Sequence, residues 1–141
     1  MTVLETITML NSKIYNFFKE SGIGSTHVMT KTGNYMLKRW GVWTPLFSIL
    51  FSKVYPIKQI AHNHEGNFIS FILWGNYVEE VDGINTNKKW INILNYKKFH
   101  KIKASKPVYT LMFMGKRINS ETSAIVNGRI IPSSKIVRGY R

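Results

Sequence analysis

From residue 34 onward the chain breaks into short β-rich runs closed by turn residues, and nothing else in the sequence constrains its fold as strongly. The runs are "NYMLKRWGVW", "LFSILFSKVY", "KQIAHNH", "NFISFILWG", "NYVEEV", "KWINIL", "FHKIKA", "PVYTLMFMG" and "RIIPSSKIVRGY". Breaks at Thr44-Pro45, Tyr55-Pro56, Glu65-Gly66-Asn67, Gly75-Asn76, Asp82-Gly83 and Lys106-Pro107 supply the Gly, Pro, Asn and Asp that tight turns need. Many short strands with no helix between them predict a mainly β chain, folded as an antiparallel sandwich or barrel. "FISFILWG" is apolar at nearly every position, which predicts a strand buried on both faces within the barrel wall.

One helix is expected ahead of these strands. Thr2 and Glu5 form a T-x-x-E capping box, and Ile7, Leu10, Ile14, Phe17 and Phe18 follow at helical spacing. The pattern predicts a helix over residues 3–20 that Gly22 and Gly24 end, with its apolar stripe packed on a sheet. Residues 1–24 are then a helix and cap, and residues 30–141 the barrel, within a single domain spanning 1–141. A chain of 141 residues buries roughly two-thirds of its unfolded surface, enough for one core.

Cysteine is absent, which excludes disulfides, zinc–thiolate sites, iron–sulfur clusters and thiol catalysis. Any metal must be held by imidazole, carboxylate, carbonyl or water. No basic-then-apolar leader is visible, and the apolar runs at 45–51 and 68–74 are far shorter than the roughly 20 residues of a membrane span. The expectation is a soluble, cytoplasmic protein with no membrane partner. ATPase, dinucleotide-binding, α/β-hydrolase and zincin signatures are missing.

Charge is uneven. Residues 1–80 carry 7 basic and 5 acidic side chains, net +2, whereas residues 81–141 carry 13 and 2, net +11. Two readings follow: a surface for a polyanion such as nucleic acid or a nucleotide, or lysines that merely keep outward strand faces soluble. A polyanion face requires Lys88, Lys89, Lys97, Lys98, Lys101 and Lys103 to gather, with Lys101 and Lys103 projecting together and Lys97 and Lys98 oppositely. Trp90, Tyr96 and Tyr140 are the aromatics interleaved with these lysines and available to stack bases.

The histidines carry the sharpest question. His62 and His64 stand at i and i+2, so on a strand both project from one face. His100 opens another run 36 residues after His64. If the two segments lie side by side, three neutral imidazoles converge as a facial ligand set for a borderline divalent ion. Otherwise the pair are polar neighbours and nothing more.

The order of H-x-H, turn, apolar strand ending in Gly, strand, D-G turn, strand and lone His resembles the cupin superfamily. "HNHEGNFISFILWGNYVEEVDG" looks like the first cupin motif and "NYKKFHKIKASKPVYTLMFMG" like a degraded second one. "YMLKRW", "HNHEGNFISFILWGNYVEE", "FHKI" and "YTLMFMGKR" are similar to segments of small cupin-like proteins of bacteria and phages, over residues 34 to 117. The resemblance implies a double-stranded β-helix, the jelly-roll barrel. It departs in two places. Phe68 and Ile69 stand where most cupins have a glutamate ligand, and "YKKFH" replaces the usual P-x-G turn before the last histidine. What remains is a three-histidine set, His62, His64 and His100, similar to cysteine-dioxygenase-type cupins, which implies Fe(II), with Zn, Mn or Ni as alternatives.

Around this set, Glu79 matches the family's G-x-Y-x-E position and is expected as a fourth ligand, a general base or a hydrogen-bond partner for a ring N–H, or else as a salt-bridge residue. Tyr77 is the accompanying catalytic candidate, and Tyr96 and Tyr109 are candidate pocket walls. Arg39, Lys98 and Lys101 are candidate anion contacts. Glu65 is expected to be solvated, and His27, placed in the linker after the helix, receives no role. Three functions stand open: a metal-dependent, dioxygenase-like enzyme acting on a small, anionic substrate; a basic protein binding nucleic acid or a nucleotide; and a protein that lodges on an acidic partner surface. A homodimer is compatible with each, and the Lys-, Asn- and Ile-rich vocabulary fits a phage or other mobile element.

Overall fold

The alternation of the runs is borne out as two facing antiparallel sheets. The structure, a computed structural model, describes residues 21–29, 35–56, 59, 61–119, 122–126 and 128–132. The helix expected over residues 3–20 lies outside the described residues, as does the chain after Pro132. Eleven strands occur among the described residues: β1 (Gly22–Met29), β2 (Tyr35–Trp43), β3 (Ser48–Val54), β4 (Phe68–Trp74), β5 (Tyr77–Val81), β6 (Ile84–Lys88), β7 (Ile91–Leu94), β8 (His100–Lys103), β9 (Val108–Met114), β10 (Ser123–Val126) and β11 (Arg129–Pro132).

One sheet has the order β1-β2-β3-β9-β4-β7. The other is built from β6-β5-β8 and the β10–β11 hairpin, with the segment 61–63 set between them. That segment carries no named strand, yet its backbone bonds both ways. His62 N–H donates to His100 O at 3.0 Å and His100 N–H to His62 O at 2.9 Å, while Asn63 N–H donates to Ser123 O and Ile125 N–H to Ala61 O.

Period-two alternation decides which side chains go inside. In β3, Leu50, Ser52 and Val54 are buried while Ile49 and Phe51 face out; in β9, Val108, Thr110 and Met112 are buried. One apolar cluster joins Val54, Ile72 and Val108 of the first sheet to Tyr77 and Ile102 of the second. A second gathers Leu50, Phe68, Leu94 and Met112, with Val81 packed against it. Between them lies a polar belt of buried Ser52, Ser70, Glu79, Asn92, His100 and Thr110.

Turn chemistry follows the sequence. Val81 pairs with Ile84 across a two-residue loop in which Asp82 (φ 51°) and Gly83 (φ 77°) are both left-handed, the type I′ geometry that D-G favours. Gly66 is needed for a close approach: a Cβ there would come within 2.7 Å of Lys116 O.

Three expectations need correction. Gly22 and Gly24 lie in β1, and His27 belongs to the same strand rather than to a linker. Backbone pairing with all of β2 holds this edge strand without an apolar alternation to announce it. β6 and β10 were likewise not among the nine runs, because "INTNK" and "SAIV" are short and weakly patterned. Finally, β4 is not buried on both faces. Phe68, Ser70 and Ile72 point inward, but Phe71, Leu73 and Trp74 are exposed, since β4 lies inside a sheet whose outer face is apolar almost throughout.

Candidate metal centre

Backbone register brings the histidines together. His62 and His100 form a directly opposed, hydrogen-bonded antiparallel pair, so their side chains leave the sheet on the same side. His64 follows two residues later. Ring centroids stand 4.6 Å apart for His62–His100, 5.0 Å for His64–His100 and 5.2 Å for His62–His64. One ligand nitrogen from each lies within 4.8 Å of the others. His64 and His100 are buried, and His62 is half-buried.

The turn after His64 is pinned from the far side of the chain. Asn119 Nδ2 donates to His64 O at 3.0 Å, and the amides of Ile118 and Asn119 both donate to Glu65 O. The Glu65 carboxylate meets Arg117 Nε at 2.9 Å, so Glu65 is half-buried and paired rather than solvated. Asn63 Oδ1 accepts from Ser123 N–H at 2.6 Å. These bonds fix the H-x-H segment.

Behind the rings lies a hydrogen-bonded relay. His100 Nδ1 is 2.7 Å from Glu79 Oε2, and since a carboxylate only accepts, the ring nitrogen donates. Donation there leaves the Nε2 lone pair of His100 directed at His64 Nε2, 2.9 Å away. Glu79 Oε2 also accepts from Asn92 Nδ2 at 2.5 Å, and the same amide donates to Tyr77 Oη at 3.0 Å. Burial pushes the Glu79 carboxyl up, but the bonds from His100 and Asn92, with the His100 and Lys88 charges, outweigh it and hold it below its ordinary value. Burial raises the Tyr77 phenol, opposed by the Asn92 bond and reinforced by the Glu79 charge, so it stays protonated. Burial, then the neighbouring His62, His100 and Arg39 charges, hold His64 well below the ordinary imidazole value, hence neutral at pH 7.

The three imidazoles could hold a metal ion, and the His64–His100 pair has the spacing one requires. Nitrogens about 2.1 Å from one ion and at right angles stand about 3 Å apart, which the His64–His100 separation of 2.9 Å meets. Where a glutamate ligand stands in most cupins, Phe68 instead lays its ring edge-on to His64, with centroids 4.6 Å apart. Among the described residues, His62, His64 and His100 are the group placed to ligate an ion.

The remaining candidates separate clearly. Glu79 takes the geometry of a ring N–H partner. Tyr77 is 3% exposed and belongs to the apolar cluster, with its hydroxyl reaching the relay through Asn92. Arg39 lies in the inward row with Ser52, to whose Oγ its Nε donates at 3.1 Å. Burial, partly offset by the Glu65 charge, brings its guanidinium down to about 10, so it stays charged at neutral pH. Among the described residues no carboxylate lies within ion-pair distance of it. Lys98 pairs with Asp82 at 2.7 Å and Lys101 with Glu80 at 3.7 Å, the latter on the face opposite His100. Tyr109 faces outward beside Phe51, and Tyr96 sits in the turn after β7, so neither lines the interior.

Asn92 is the residue that sequence reading missed. The alternation in "INIL" places it inside, 1% exposed, and its Oδ1 is buried with no hydrogen-bond partner among the described residues. An Asn flanked by isoleucines on a strand was the available signal.

The sequence matches no protein-family model and no curated protein. Solved structures do match. The cupin-2 domain Rru_A2000 from Rhodospirillum rubrum aligns with a TM-score of 0.58 at 10% identity, over 83% of this chain and 82% of that one. The fold is a cupin fold. KdgF from Halomonas sp. aligns at 0.50 and 16% identity, covering 65% of this chain and 87% of its own. The DMSP lyase DddQ from Ruegeria pomeroyi aligns at 0.51 and 11% identity, over 71% of this chain and 50% of the lyase.

Proposed function

We propose that His62, His64 and His100 hold one divalent metal ion, Fe(II) in the first instance, and that the protein is a metal-dependent, dioxygenase-like enzyme acting on a small anionic substrate. The observation that carries this reading is the inward Nε2 pair, 2.9 Å apart, with the ring of His100 fixed from behind by Glu79. A carboxylate on the far nitrogen sets the tautomer and raises the basicity of a metal-binding imidazole. When bound, such an ion supplies Lewis-acid polarisation of the substrate and open positions for a small co-reactant.

The chain's own residues do the rest. Arg39, cationic within the same interior and without a carboxylate partner among the described residues, supplies the counter-charge for a carboxylate or similar anion. Phe68 keeps water off the His64 side of the site. Glu79, already accepting from two donors, orients His100 rather than removing a substrate proton. That enzymes such as the DMSP lyase share the fold supports an enzymatic reading without naming this reaction.

The test is metal analysis of untagged protein, followed by anaerobic Fe(II) titration. One ion per chain is expected for the native protein. His100→Ala should weaken binding at least about 100-fold, as loss of one of three ligands demands. Substoichiometric binding that His100→Ala and His64→Ala leave unchanged would refute the assignment.

A further inference from the structure

We infer that the outer face of the six-stranded sheet is covered by the chain's own residues 3–20, packed across it as one amphipathic helix. Register sets the outward side chains of that face in two rows. Ile23, Val42, Ile49, Phe113, Ile69 and Ile93 are successive cross-strand neighbours. Trp40, Phe51, Leu111, Phe71 and Ile91 form the next row, with Ser25 at its edge. Neither row holds a charged residue, in a chain of net charge +13.

Such a face is too large to stand in water. Its exposed side chains, with Leu73 and Trp74 at the margin, amount to on the order of 1,000 Å². The largest apolar patch on a typical monomer is about 300–600 Å². Something apolar must therefore lie on it, and the rows offer no cation for nucleic acid or an acidic protein.

The sequence ahead of β1 supplies a cover of matching pattern, size and position. Residues 3–20 lie outside the described residues, and their pattern is two-sided. Val3, Ile7, Leu10, Ile14, Phe17 and Phe18 recur every three or four positions, while Glu5, Ser12, Asn16, Lys19 and Glu20 fall opposite them at about 100° per residue. A helix over these residues is about 27 Å long and about 10 Å across. Six strands about 4.8 Å apart carry the face about 24 Å from β1 to β7, and its two rows lie about 7 Å apart. One helix laid along the rows covers both. Position then selects this occupant. Residue 20 stands three positions before Ile23, the first member of a row, and three extended residues span at most about 11 Å. A segment tethered that closely competes for the face at an effective concentration of about a millimolar, ahead of any separate partner.

Thiol labelling of the full chain tests this, because the chain has no cysteine of its own. Ile93→Cys puts a single thiol on the face, and Ile84→Cys, on β6 of the other sheet, is the open reference; the two isoleucines are 67% and 68% exposed. The Ile93→Cys thiol should react with a bulky maleimide at least about tenfold more slowly than the reference, at every protein concentration, since the helix must lift before it is reached. Adding Phe17→Lys should abolish that protection, and adding Asn16→Lys, on the polar side, should preserve it. Ile14→Asn is the milder second variant, for use if Phe17→Lys changes the circular dichroism, and should also speed labelling. A face thiol as reactive as the reference would overturn the inference. Protection that ignores both Phe17→Lys and Ile14→Asn would do so as well, and its loss on dilution would assign the face to a second copy.

Discussion

The two apolar clusters and the polar belt between them occupy the same interior, yet they obey opposite rules. Val54, Ile72, Tyr77, Ile102 and Val108 at one end, and Leu50, Phe68, Leu94 and Met112 at the other, are what any two facing sheets require. The belt puts Glu79, Asn92 and His100 out of water and must satisfy each of them with a bond, at a cost that apolar residues of the same size would not incur. The clusters supply the packing, and the belt holds the ionisable groups.

Substitutions can separate the two. The largest expected effect is at Leu50→Ala, which should cost roughly 2–5 kcal/mol in urea unfolding while metal stoichiometry stays intact. A stability loss below about 1 kcal/mol would mean that the clusters are not the source of the walls' strength. Glu79→Gln comes next. It keeps the shape but removes the charge behind His100, and metal affinity should fall about 10- to 100-fold with one site remaining. An unchanged affinity would make the relay structural only.

The smallest effect is expected at the surface lysines. Lys101→Ala should change stability by less than about 1 kcal/mol, because its pair with Glu80 is solvent-exposed in part. The same experiment speaks to the basic half. With Lys98 and Lys101 already facing carboxylates, retention of short DNA or RNA duplexes should vanish at physiological salt. Strong retention with a log–log salt slope near −0.9 per phosphate, surviving replacement of His62 and His64, would instead reveal a binding surface independent of the metal centre.

Much of this was legible before any coordinates. The β-rich runs announced β2 to β5, β7 to β9 and β11, and H-x-H with a distant His gave residues that the register does bring together. Other features were not legible, for identifiable reasons. β1 and β6 are edge strands held by backbone pairing, which asks little of side-chain pattern, so "GIGSTHVM" read as a linker and "INTNK" was not set apart as a strand. The outer face of β4 looked like a buried wall because an apolar outward face and an apolar inward face leave the same mark on a sequence. The Asn63–Ser123 and Glu65–Arg117 contacts join residues more than 50 positions apart, beyond any local pattern.

The segment 61–63 is a seam as well as a ligand arm. Its main chain bonds β8 on one side and β10 on the other, so the residues that close the second sheet carry His62 and run directly into His64. Opening that seam would strip His62 and His64 away together, and an ion spanning to His100 would in turn lock the sheet shut. If the site takes an ion, loading and closure become one event: the amide protons of His62 and His100 should exchange slowly with the ion in place and far faster without it.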